Sequence, residues 1–250
     1  MLSPHERIAL FEALRPPPGY RLDHAVGTSF TLDLEALLTA PVAFALFEAR
    51  DTDPDQGGVE AVGLLEAIRR HAQRMTVFCQ AGQVAVPQRH RVVFAWLEEA
   101  VREVAPPRPH RLFHPKVWLV RYRSATSEHR VLRVLCATRN LTFDTSWDTL
   151  LRVESEPYER RPATDIPGQA ALADFFHRLP TMATLGVRDA TRRVADLAAD
   201  LRTVALAPPE PFTSLRFHVL GVDRTEPFRF PGDTTSALVI SPFLSEPFLA

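Results

Sequence analysis

Lysine and asparagine are almost missing from this sequence. Each occurs once, as Lys116 and Asn140, and every other basic residue is arginine. Cysteine occurs only as Cys79 and Cys136, which excludes a disulfide scaffold. Each lies at or inside an apolar run, where a buried free thiol in a reducing compartment is expected. Long apolar runs are missing too: the longest, residues 40–47, is far too short to span a bilayer. The first 14 residues carry Glu6, Arg7 and Glu12 among their apolar positions, so they lack the uninterrupted core of a secretory signal, and a cytoplasmic location is expected. Neither sign of charge dominates. Twenty-nine basic and 30 acidic side chains give a net charge of -1, so any polyanionic or membrane partner must be read locally. What remains is ordinary folded-chain composition, 46% hydrophobic and 24% charged over 250 residues. That excludes disorder and allows one large domain or two small ones.

The local signals alternate between helix and strand. Ser3, Pro4 and Glu6 form a capping box at the start of a helix over residues 3–14, stopped by Pro16-Pro17-Pro18-Gly19. A β-prone run covers residues 20–30. Asp33 opens a helical pattern that Pro41 interrupts, and residues 42–47 can be read as helix or as buried strand. An amphipathic helix is expected over residues 59–73, with Val62, Leu65, Ile68 and, on the opposite rim, Leu64 at helical spacing. A strand follows at 75–79, then a helix over 88–104 with Val92, Val93, Trp96, Leu97, Val101 and Val104 at helical spacing. Two nearly continuous apolar runs, 117–122 and 131–137, read as strands of a buried sheet joined by a polar loop. A further strand at 149–153, helices near 169–178 and 189–204, and strands at 215–221 and 237–241 complete an α/β pattern with helices packed on a mixed sheet.

The lone lysine and the lone asparagine fall in one segment, and Lys116 has His114 two places before it. With nine histidines in the chain, composition alone puts one there about 4% of the time. In an extended chain that spacing places His114 and Lys116 on one face, and Pro115 between them sets His114 at the beginning or edge of a strand. A nucleophilic imidazole, a cation and an amide would then share a small volume.

These residues, in FHPKVWLVRY followed by VLRVLCATRNLTFDTSW, resemble the half-site of the phospholipase D superfamily, which is His-x-Lys, a strand, and a turn bearing Asn. The superfamily's usual Asp after the Lys is absent, Arg121 standing there, and its Gly-Ser is replaced by Ala137-Thr138. Both departures are similar to the tyrosyl-DNA phosphodiesterase branch, whose Asn-Leu and nearby Trp correspond here to Asn140-Leu141 and Trp147. The resemblance implies one lobe of a phospholipase D-like fold and a metal-independent phosphodiesterase, foremost a nuclease, that needs no cofactor. It further implies catalytic roles for His114, Lys116 and Asn140, with Thr138, Arg139, Arg121 and Trp147 placed to bind substrate. The family works with two half-sites, and this chain has one. The second is expected from a homodimer mate or from sequence C-terminal to Ala250. The run Val239-Ile240-Ser241-Pro242-Phe243 with Glu246 can be laid over Val26-Gly27-Thr28-Ser29-Phe30 with Asp33. That match favours residues 1–236 as the first half and 237–250 as the start of a second.

Between Arg102 and Arg139 stand nine basic residues against Glu103 and Glu128, a field that suits a nucleic acid, DNA before RNA, with Trp147, Trp118 or Tyr122 available for stacking. Phospholipid is disfavoured, since no basic amphipathic helix or apolar anchor is visible. Zinc ligation is disfavoured by the lack of a Cys-x-x-Cys pair and by the loose spacing of His110, His114 and His129. His71, His90 and His177 are expected on solvated helix faces. The alternative function is a nucleic-acid-binding or dimerisation module whose lone half-site holds phosphate without turnover.

Overall fold

The computed structural model describes residues 9–52, 61–89, 91–106, 111–143, 148–185 and 188–221, with residues 232, 235 and 236. The elements run in the order α1 (Leu10–Ala13), β1 (Tyr20–Ser29), β2 (Leu32–Asp33), α2 (Leu34–Leu37), α3 (Thr39–Thr52), α4 (Ala61–Ala72), β3 (Met75–Gln80), β4 (Val84–Ala85), α5 (Val92–Glu98), β5 (Val101–Val104), β6 (Val117–Ser124), β7 (Arg130–Ala137), β8 (Leu150–Glu154), α6 (Pro167–Met182) and α7 (Arg188–Thr203). All belong to one unit, Met1–Phe217. In the other unit, His218–Ala250, the described residues carry no helix or strand. The expected strand at 237–241, and with it the proposed start of a second half, lies outside the described residues.

Six strands form a mixed sheet in the order β5-β3-β1-β6-β7-β8. β1 pairs in parallel with β3, and β3 with β5, while the β1–β6, β6–β7 and β7–β8 pairs are antiparallel. The central strands read as continuous apolar runs because helices cover both faces. Leu22, Ala25, Trp118, Val120, Tyr122, Val131 and Leu135 join α1 to α5 in the main core through Leu14, Leu37, Phe44, Ala72 and Leu97. On the other face Leu119, Leu132 and Val134 are buried, and Arg121 meets Asp196 and Asp200 of α7. Among the described residues no helix is long and apolar enough to cross a membrane.

The ambiguous run after Pro41 is helical. Pro41 sits in the first turn of α3, where its missing N–H has no helical partner to lose. Asp33 caps α2, its carboxylate accepting from the Glu35 N–H at 2.7 Å. Five expectations need correction. The helix expected over 88–104 is α5 followed by strand β5: Ala100 O accepts from Val77 N at 2.8 Å, and the parallel ladder to β3 overrides a helical period that Val101 and Val104 continue. Residues 215–221 form no strand. Phe217 N–H donates to Gly168 O at 2.8 Å, but no described strand lies alongside. In α4 the apolar stripe is buried only at Ile68, while Val62 and Leu65 face solvent. His71 is no solvated residue: it is buried with Nε2 2.8 Å from the Glu48 carboxylate, and that contact holds the Glu48 carboxyl at about 2. His177 is exposed as expected, and His90 lies outside the described residues. Cys79 is buried, whereas Cys136 is exposed.

Gly27 lies opposite Trp118, and a Cβ there would sit 2.9 Å from the indole. That ring is buried in the main core, so displacing it disturbs packing. Gly27→Ala is expected to destabilise the fold by about 2 kcal/mol in urea unfolding. Gly63→Ala on α4, where a Cβ meets nothing within 4 Å, is expected to stabilise by up to about 1 kcal/mol. Equal effects of the two changes would show that Trp118 is not tightly held.

Candidate active site

Three chain segments converge where β1 ends, β6 begins and β7 ends, a meeting that the antiparallel β1–β6 and β6–β7 pairs enforce. Thr28 clamps the start of β6: its Oγ1 accepts from Val117 N at 2.9 Å and donates to Val117 O at 3.2 Å. On the upstream side Phe113 is buried against Phe175, ring centroids 6.3 Å apart, and its N–H donates to Gln80 Oε1 at 2.8 Å. Between these two anchors stand His114 and Lys116. They precede the strand proper, yet Lys116 O still accepts from Ala137 N at 2.9 Å.

The turn after β7 is fixed as firmly. Ser29 Oγ accepts from Leu141 N at 3.0 Å, Asp33 N donates to Leu141 O at 2.8 Å, and Phe30 N donates to Asn140 Oδ1 at 3.3 Å. With its oxygen so engaged, the Asn140 amide has its NH2 donors uncommitted among the described residues and able to serve a ligand. Lys116 and Asn140, 24 positions apart in the sequence, line the same cleft of about 290 Å³, together with Thr28, Trp118, Arg139, Asp148 and Phe143. Lys116 Nζ lies 3.1 Å from His114 Nδ1, 3.2 Å from its Nε2 and 3.3 Å from its carbonyl oxygen. The exposed imidazole packs on Phe30, ring centroids 5.0 Å apart.

Burial, and then the neighbouring ammonium, hold the His114 pKa below the ordinary histidine value. The ring is therefore neutral at neutral pH. Burial also lowers the Lys116 pKa, partly opposed by Asp148 and Cys136. Lys116→Met removes the cation but not the burial, so it is expected to raise the His114 pKa partway toward its ordinary value. NMR titration of the imidazole checks this, and an unchanged value would mean that Lys116 does not act on the ring.

Among the residues expected to bind substrate, Arg139 lines the cleft, its guanidinium 3.7 Å from Asp148. Thr138 does not line it. Its Oγ1 is committed to the loop, donating to Asp148 at 3.1 Å and accepting from Thr149 N at 2.9 Å. Arg121 is not brought to the site. An odd number of positions separates it from Lys116, so it points through the opposite face of the sheet into a cluster with Asp23, Asp196 and Asp200. Trp147 lies outside the described residues. Trp118 and Tyr122 are buried, which removes them as stacking platforms. Nor is the basic stretch one surface, since Arg133 is buried against Glu154, Tyr122 and the carbonyls of Ala13 and Arg15. Among the described residues no group of three His, Cys, Asp or Glu side chains is placed to hold a metal ion.

Thr28, Ser29 and Phe30 end a β-prone run and enter the overlay with residues 239–243, but neither signal marks them as scaffolding residues. Their role depends on partners 89 to 112 positions away.

No family model matches this chain, and no curated protein matches it. A crystal structure of a mutant of yeast tyrosyl-DNA phosphodiesterase is similar at 10% sequence identity and a TM-score of 0.40, over 74% of this chain and 36% of that one. The chain thus spans about a third of that protein's length.

Proposed function

We propose that this chain is one half of a metal-independent phosphodiesterase that cleaves nucleic acid, DNA in the first instance, with His114 as nucleophile. The observation that carries the reading is the meeting of the chain's only lysine and only asparagine at one cleft, beside a histidine whose neutral form is favoured. A ring nitrogen of His114 attacks phosphorus, the P–N bond forms and the P–O bond to the leaving alcohol breaks. Lys116 and the Asn140 amide donate to the non-bridging oxygens as their charge grows, and Arg139 adds a second cation at the mouth. An acid from a second half-site gives the leaving oxygen its proton. The same group then takes a proton from the water that hydrolyses the phosphohistidine. That second half-site comes from a two-fold mate or from sequence beyond Ala250.

The neutral imidazole is the reactive form, so the rate rises with pH through a His114 pKa that lies below the ordinary histidine value. On the alkaline side it falls as the acid of the second half-site loses its proton, and Lys116, whose pKa lies below the ordinary lysine value, adds a further fall.

The test uses a preparation holding two half-sites and an oligonucleotide labelled on the scissile phosphate. An acid-labile, alkali-stable protein adduct is expected on rapid quenching, formed equally with and without EDTA. Loss of cleavage in EDTA with recovery in Mg²⁺ would overturn the scheme. Phosphate binding without any adduct or turnover would instead identify a non-catalytic phosphate-binding module, the reading favoured by the single half-site of this chain.

A further inference from the structure

β6 leads away from Lys116 for eight residues, about 26 Å at strand rise, and ends at a second polar concavity. There Arg21 of β1 stands directly opposite Arg123 of β6, and Arg123 directly opposite Arg130 of β7. Three arginines thus occupy register positions in one row across three adjacent strands, the Arg21 side chain also reaching toward Glu48 of α3. Like charges in register weaken a sheet, and of the carboxylates nearby Asp23 and Glu128 line the same cleft as the row. Asp23 is committed to Arg121 at 2.6 Å, while Glu48 lies 3.8 Å from Arg21 and is shared with Arg70 and His71. Arg123 and Arg130 have no ion pair among the described residues. Arg74 feels the row too, its pKa lowered first by burial and then by Arg123. The three arginines line a cleft of about 540 Å³ with the hairpin residues Thr126, Ser127 and Glu128.

We propose that this arginine row is a second anion site that binds a phosphate group, separate from the His114 site and on the opposite face of the sheet. Arginines at directly opposed strand positions, whose backbones lie about 5 Å apart, can each turn a planar guanidinium fork with paired N–H donors to a tetrahedral oxyanion. The cleft has room for the group that carries the phosphate. One bound phosphate removes the repulsion that the unliganded sheet retains.

Titration of the protein with inorganic phosphate, followed by calorimetry and thermal unfolding, tests the site. Phosphate raises the melting temperature of the parent, and Arg123→Ala weakens phosphate binding at this site by about tenfold or more. The side chain is exposed and opposed by like charge, so Arg123→Ala without phosphate melts at or above the parent. Arg123→Gln provides a second variant of near-native size with the same expected loss. Lys116→Ala retains phosphate at the row. A single-stranded oligonucleotide that displaces phosphate, and loses affinity in the same variants, assigns the phosphate to a nucleic-acid backbone. Phosphate binding that no oligonucleotide displaces assigns it to a small phosphate-bearing molecule. Phosphate binding that persists unchanged in Arg123→Ala/Arg130→Ala, or is lost only in Lys116→Ala, would overturn the proposal.

Discussion

His114→Ala is expected to abolish both turnover and the covalent adduct while moving folding stability by no more than about 0.5 kcal/mol. The imidazole is exposed, and its recorded partners are the Phe30 ring and the Lys116 ammonium, so its removal opens no cavity and strands no buried polar group. Lys116→Ala keeps the nucleophile but removes a cation facing the oxyanion, a loss of about 10²- to 10³-fold in rate. Asn140→Ala combines two effects: it deletes an oxyanion donor and also the acceptor for Phe30 N–H. That change is expected to cost about 1 kcal/mol of stability besides activity. Rate measurements on the two-half-site preparation, beside unfolding curves for each variant, separate these terms. If His114→Ala melted far below the parent and kept its affinity for phosphodiesters, the histidine would be a structural residue and the site assignment would fail.

The candidate site is legible in the sequence because its residues are rare types in a short segment, whereas its supports are not. His114, Lys116 and Asn140 fall within 27 consecutive residues, and two apolar runs on either side of a polar loop fix the hairpin that joins them. Thr28, Ser29 and Phe30 act through hydrogen bonds spanning 89 to 112 positions, and nothing local distinguishes a clamping threonine from any strand threonine. The same limit explains β5. Leu97, Val101 and Val104 keep a helical period, and the choice of strand is made by β3, which waits with an unpaired parallel edge. Local propensity loses to that ladder, as it does wherever a sheet edge would otherwise go unpaired. Burial of His71 follows similar logic, since Glu48 on α3 supplies the partner that lets an imidazole occupy a core position.

Arg121→Ala is expected to give the largest loss of stability among single changes on the α7 face of the sheet, about 3 kcal/mol. In sequence Arg121 stands where an aspartate would complete the superfamily pattern, among other basic residues, and charge alone favours a substrate contact. Its surroundings assign it to the fold. Burial opposes its charge, but Asp23, Asp200 and Asp196 outweigh that and hold its pKa above the ordinary arginine value. Nε reaches Asp23 at 2.6 Å, and Nη1 reaches Asp196 at 2.6 Å and Asp200 at 2.7 Å. Asp200 is fully buried, so without Arg121 its carboxylate retains, among the described residues, Arg161 at 2.6 Å and Tyr158 at 2.8 Å. A carboxylate stripped of part of its pairing in a dry interface costs more than the ion pair contributed in water. Arg121→Met with Asp200→Leu removes both charges together and is expected to recover part of the loss, because apolar replacement of a buried pair is often near neutral. Activity per folded molecule should hold in Arg121→Ala, since the side chain and Lys116 lie on opposite faces of the sheet. Urea unfolding of the single and double variants, alongside the cleavage assay, checks both halves of the expectation. An unchanged unfolding midpoint with a fall in substrate affinity would return Arg121 to the substrate.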